Sequence, residues 1–93
     1  LPTVIINSHH VWHLFVIRTE QRNELKKYLT DSGIETLIHY PIPVHKQKAY
    51  KELNHEIYPI SEKVHNEILS LPISGIQSFQ DTKKIVEVIN EFK

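Results

Sequence analysis

From Val11 to Arg18 the chain is apolar at nearly every position, whichever alternate set is followed. A strand covered on both faces reads this way, and the run is too short for a typical buried helix. After Thr19 the period changes. Leu25, Tyr28 and Leu29 recur at i, i+3 and i+4, while Arg22, Lys26 and Lys27 fall on the side expected to meet water. This predicts a helix capped by Thr19, with Glu20 in its first turn against the positive end of the dipole. Gly33 follows Asp31-Ser32, where a left-handed residue closes a helix and lets Ile34 fold back on the last turn. A second strand, Ile34 to Ile38, is expected next.

The second half alternates helix formers with breakers. A helix is predicted from His45 or Lys46 to Leu53, with Ala49, Tyr50 and Leu53 as its apolar stripe. Ser61 is a cap for another, in which Ile60, Val64 and Ile68 recur every four residues. Pro72 stops helix continuation and favours a third strand near Leu69 to Ile73, at a sheet edge or strand end. Ser78 with Asp81 is close to a capping box, and Ile85, Val88, Ile89 and Phe92 form the stripe of a last helix. Thr3 to Ile6 reads as a candidate edge strand, broken at Asn7-Ser8. The order β, α, β, α, α, β, α suggests an α/β fold of the two-layer α+β kind: an open sheet of three or four strands, with helices mostly on one face. One domain is expected over residues 1–93, with 1–10 a poorly defined lead-in.

Composition narrows the function classes. At 93 residues the chain can bury roughly two thirds of its unfolded surface, enough for one core. Eleven basic residues balance eleven acidic ones, so the electrostatic footprint of a nucleic-acid binder is missing. Without cysteine there is no disulfide framework or thiolate metal site, and a cytoplasmic location is the default expectation. The longest uninterrupted apolar run, Leu14 to Ile17, is far from the roughly 20 residues that cross a bilayer. The sequence starts Leu1-Pro2-Thr3 and contains no methionine, which reads as a piece of a longer protein.

The segment Leu37-Ile38-His39-Tyr40-Pro41-Ile42-Pro43-Val44-His45 is the main candidate for chemistry. Pro41 and Pro43 hold it away from helix, so two imidazoles and a phenol ride on a stiff, irregular loop, the usual place for binding groups. Imidazole and phenol together can donate to and accept from hydroxyls, phosphate oxygens or a ketone. The competing expectation is that Tyr40 packs flat on the sheet and His45 merely begins a helix. His9, His10 and His13 form a second cluster, but on an extended chain only His9 and His13 share a face, and no carboxylate or thiolate is near enough to complete a metal shell. No metal site is therefore expected. Arg18 is read as an anion ligand or, more simply, a cation reaching water. Glu20, Glu24, Glu62, Glu67, Asp81 and Glu87 read as solvated helix faces. With two glycines there is neither a phosphate-cradling loop nor a nucleophile elbow.

Three blocks carry a resemblance in order: His13-Leu14-Phe15-Val16-Ile17-Arg18; Gly33 through Gln47 with Ala49-Tyr50; and Leu69-Ser70-Leu71-Pro72-Ile73. Together they make Val11 to Lys93 resemble the C-terminal small domain of the DegT family of sugar-nucleotide aminotransferases. That resemblance implies the aspartate-aminotransferase fold, a mainly antiparallel sheet, pyridoxal 5'-phosphate as cofactor and a homodimeric parent. Its likeness is fullest to transaminases that aminate a dTDP-linked 3-keto-6-deoxyhexose with a donor such as glutamate. The Schiff-base lysine and the other cofactor ligands would lie in an upstream large domain, so no catalytic or cofactor-binding residue is expected in this chain, which alone would be inactive. His39 and Tyr40 carry over as substrate contacts in the cleft between domains, with His45 as a third. Leu14 stands where many members have glutamine, so no polar role transfers to it. A non-catalytic interaction module, or a dehydratase of the same family, is the alternative.

Overall fold

The computed structural model describes residues 1–92. Its elements run β1 (Phe15–Arg18), α1 (Arg22–Asp31), two 3₁₀ segments (Val44–Lys46 and Lys48–Leu53), α2 (Pro59–Glu67), β2 (Ile68–Leu71) and α3 (Phe79–Glu91). β1 and β2 pair antiparallel, Phe15 opposite Leu71 and Ile17 opposite Leu69. Leu37 adds a single antiparallel bridge on the far side of Ser70. The architecture is thus the expected small α/β one with an antiparallel sheet, but that sheet has two strands and not three or four.

Particular breakers account for the missing strand length. Continuing the Leu37–Ser70 register would oppose Glu35 to Pro72, which has no N–H to give. The segment 34–38 therefore stops at one bridge. Upstream, Trp12 takes a left-handed φ of 49°, so the chain turns before Phe15 and the strand expected from Val11 is confined to four residues. Residues 3–6 form no strand; a turn lies at Ile6-Asn7, and Asn7 also has positive φ, 66°. β2 pairs with β1 on one side and takes the single Leu37 bridge on the other, and Pro72 sits just past its end, the second of the two places expected for it.

The core lies on the sheet face carrying Ile17 and Leu69. Leu25 and Leu29 from α1 close on it with Ile34, and Phe15, Leu71, Ile85, Val88, Ile89 and Phe92 pack around them. Leu29 and Leu69 are wholly buried. Gly33 adopts φ +81°, and Ile34 donates back to the Leu29 carbonyl at 2.8 Å, the helix closure expected there. At α3 the capping box is complete: Asp81 N–H donates to Ser78 Oγ at 3.0 Å, and Ser78 N–H to Asp81 Oδ2 at 3.2 Å.

Other expected caps move. α1 starts after Gln21, and Thr19 Oγ1 instead accepts from the Gln21 N–H at 3.2 Å. α2 starts with Pro59 in its first turn, where a missing N–H costs nothing, so Ser61 lies inside the helix. The segment 44–53 winds as 3₁₀ with a break at Tyr50, leaving Ala49 and Tyr50 exposed.

Two charged residues expected at the surface are buried. Arg22 Nη1 donates to the carbonyls of His65 at 3.1 Å and Ile68 at 3.2 Å, placing a cation at the C-terminal end of α2. Glu67 accepts from Arg18 through Nη2 at 2.7 Å and Nε at 3.1 Å. Helical spacing puts Arg22 beside Leu25 and Leu29 and Glu67 beside Val64, but the partners that satisfy their charges come from distant parts of the chain. Among the described residues, no helix is long and apolar enough to cross a membrane.

Candidate functional site

The Leu37–Ser70 bridge delivers the chain to His39, two residues further on, at the edge of β2. Ser70 N–H donates to the Leu37 carbonyl at 2.7 Å, and Leu37 N–H returns a bond to the Ser70 carbonyl at 3.2 Å. His39 is half-buried, with Nδ1 at 2.8 Å from Ser70 Oγ. Its ring meets Tyr40 edge-on, centroids 5.4 Å apart. Tyr40 is 64% exposed and does not lie flat on the sheet. His65 Nδ1 is hydrogen-bonded to the Tyr40 carbonyl, which ties the displayed residue to α2.

An open groove of about 690 Å³ runs along this edge, walled by His13, Leu14, Thr36, His39, Ser70 and Pro72. Its hydrogen-bonding groups are imidazole and hydroxyl, with Glu35 the only carboxylate on the rim, a lining suited to a polyhydroxylated, partly apolar ligand. Lys26 Nζ bonds the Thr36 carbonyl at 3.1 Å and Oγ1 at 3.3 Å, so α1 holds the groove's far wall in place.

His45 lies apart from His39 and Tyr40. It is 6% exposed, its Nε2 is 3.2 Å from Glu62 Oε1, and the ring of Tyr58 stands edge-on to it at 4.9 Å. Lys46 Nζ approaches the same carboxylate at 3.6 Å. The loop around His45 is tied to itself: Asn54 Nδ2 reaches the carbonyls of His45 at 2.8 Å, Tyr50 at 3.1 Å and Gln47 at 3.3 Å. Gln47 Nε2 crosses to the Ile42 carbonyl at 3.2 Å. Close by, Tyr58 donates to the Glu56 carboxylate; that bond and the carboxylate's charge raise the phenol above its ordinary value near 10.

The remaining candidates resolve differently. His9, His10 and His13 are exposed; His10 stacks on Trp12 at 4.0 Å and accepts its N–H at 2.8 Å. No group of three or more metal-ligating side chains converges among the described residues. Arg18 is an ion-pair partner of Glu67. Four contributors had no site role in the sequence reading: Ser70, His65, Asn54 and Glu62, the last read as a solvated helix residue. Only Ser70 left a legible trace, as the lone hydroxyl inside Ile68–Leu71.

A polar edge of an antiparallel sheet thus lies beside an exposed Pro-rich loop on a small α/β body. Comparison with known proteins gives its class: the chain belongs to the DegT/DnrJ/EryC1/StrS aminotransferase family, matching that family over residues 2–90. It is 51% identical over 92 residues to the dTDP-3-amino-3,6-dideoxy-alpha-D-galactopyranose transaminase of Aneurinibacillus thermoaerophilus, covering 99% of this chain and 25% of that protein. It is 38% identical over 94 residues to the dTDP-3-amino-3,4,6-trideoxy-alpha-D-glucose transaminase of Streptomyces venezuelae, again covering 99% and 25%. The crystal structure of S. venezuelae DesV in complex with a ketimine intermediate superposes with a TM-score of 0.91 at 36% identity, over 98% of this chain and 25% of that one. The chain thus spans about a quarter of the length of the relatives it matches.

Proposed function

We propose that this chain is the small domain of a pyridoxal-phosphate-dependent transaminase that aminates a ketodeoxysugar nucleotide, with dTDP-3-keto-6-deoxyhexose as substrate and glutamate as donor. The observation that carries this reading is 51% identity, across 99% of the chain, to a protein named as a dTDP-aminosugar transaminase. The site geometry is in keeping with it. His39 lines the open groove and Tyr40 follows it as an exposed residue, and an imidazole and a phenol so placed can bond sugar hydroxyls and diphosphate oxygens. His45, buried against Glu62 and apart from that pair, holds the loop that follows Pro43.

These residues alone do not form a site for pyridoxal phosphate. On this reading the Schiff-base lysine lies in the parent's large domain, and with only two glycines, apart in sequence, this chain offers no glycine-rich turn of N–H groups to a phosphate. When bound to the rest of the parent, the cofactor supplies the electron sink for amino transfer; this chain's part is to bind and orient the sugar. Tyr40, Ile42 and Val44 form an exposed apolar run (64, 52 and 58%) that suits packing against the parent's large domain. The parent is a cytoplasmic homodimer on this reading.

Purified full-length parent should show the visible absorbance of bound pyridoxal phosphate, altered by glutamate and restored by the ketosugar nucleotide. A colourless protein without cofactor refutes the proposal. Tyr40→Phe should lower kcat/KM for the nucleotide sugar by about tenfold, the usual worth of one polar contact, with the cofactor absorbance unchanged. Unaltered kinetics would make Tyr40 a packing residue.

A further inference from the structure

Ser70 has an unusual combination of neighbours. It is 5% exposed, and both of its backbone groups are engaged by Leu37. Among the described residues its hydroxyl has one partner, His39 Nδ1 at 2.8 Å. A hydroxyl can donate or accept there, and burial decides between the two. If Nδ1–H donated to Oγ, the nearly buried serine proton would have no acceptor among the described residues; if Oγ–H donates to a bare Nδ1, that proton has one.

A neutral imidazole with Nδ1 bare carries its proton on Nε2. That nitrogen has no partner among the described residues, and His39 walls the groove. We infer that Ser70 is a positioning residue that holds His39 as its Nε2–H tautomer, making the ring a hydrogen-bond donor to an oxygen of the bound nucleotide sugar. The inference rests on the reading of His39 as a substrate contact and adds the direction of the bond and the group that sets it. It also explains a polar residue in the middle of a buried strand: its bridge to Leu37 fixes the backbone two residues before His39, and its hydroxyl fixes the ring.

The test uses the full-length parent with its cofactor, labelled with ¹⁵N-histidine, and His39→Gln to assign the resonances. The expected spectrum shows a protonated Nε2 and a bare Nδ1 for His39. A protonated Nδ1 overturns the inference, and this measurement needs no variant of Ser70 to fold. In kinetics, Ser70→Ala should raise KM for the ketosugar nucleotide about tenfold with a smaller change in kcat, and Ser70→Thr, which keeps the hydroxyl, should recover most of the loss. If His39→Ala raises KM while Ser70→Ala does not, Ser70 has no positioning role and the substrate contact stands. If His39→Ala leaves KM unchanged, the reading of the site falls, and this inference with it.

Discussion

The Arg18–Glu67 pair makes an asymmetric prediction about stability. Arg18 keeps 52% of its side-chain surface in water, whereas Glu67 keeps 11%. Replacing either by methionine removes the same two hydrogen bonds, of 2.7 and 3.1 Å, yet what is left behind differs. Arg18→Met strands a buried carboxylate whose other cation, Lys63, is 3.8 Å away and mostly solvated. That costs roughly 2 to 3 kcal/mol, the desolvation of a charge left without a close partner. Glu67→Met leaves a guanidinium that water can reach, so the loss is about 1 kcal/mol. The double substitution should cost less than the sum, close to the Glu67 single, since no buried charge remains. Urea unfolding of the chain and its three variants measures all of this. Equal losses for the two singles, or a larger one for Glu67→Met, would refute the claim that burial of the carboxylate sets the cost.

Three further outcomes follow from the packing and hydrogen bonds of the fold. Leu69→Ala, at a wholly buried position in β2, should cost about 2 to 5 kcal/mol in the same assay, and a loss below that range would mean the site collapses around the gap. Ser78→Ala removes one half of the α3 capping box and should cost about 1 kcal/mol, while Ser78→Asp should retain most of it. Tyr58 should titrate above its ordinary value in an ultraviolet pH titration, and Glu56→Gln should bring it back, because the hydrogen bond to that carboxylate is the chief cause of the shift. The sign for stability is that of a raised group: the contribution is present below pH about 10 and declines as pH rises through the folded value.

Features built from neighbours along the chain could be read directly. Ser78 and Asp81 are three residues apart, Gly33 closes a helix beside it, and the stripe from Ile85 to Phe92 belongs to one helix face; all three stand as expected. Features that depend on distant partners could not. Arg22 and Glu67 share helix faces with Leu25 and Leu29 and with Val64, but their charge reads as solvated, and the partners that let them be buried, the carbonyls of His65 and Ile68 and the guanidinium of Arg18, lie far along the chain. The sheet was overextended because hydrophobic pattern reports burial, whereas pairing also needs an N–H opposite Glu35 and a straight backbone at Trp12. At the candidate site, proline spacing located the display loop and its exposed Tyr40, but the inward turn of His45 depends on Glu62, seventeen positions away.

The carboxamide of Asn54, gripping three carbonyls of one bend, has a consequence for assembly. A loop secured by its own side chain keeps its contour whether or not anything is pressed against it. Such a surface meets its counterpart already shaped, so the disorder that a floppy segment would surrender on contact has been given up earlier, when the chain itself folded.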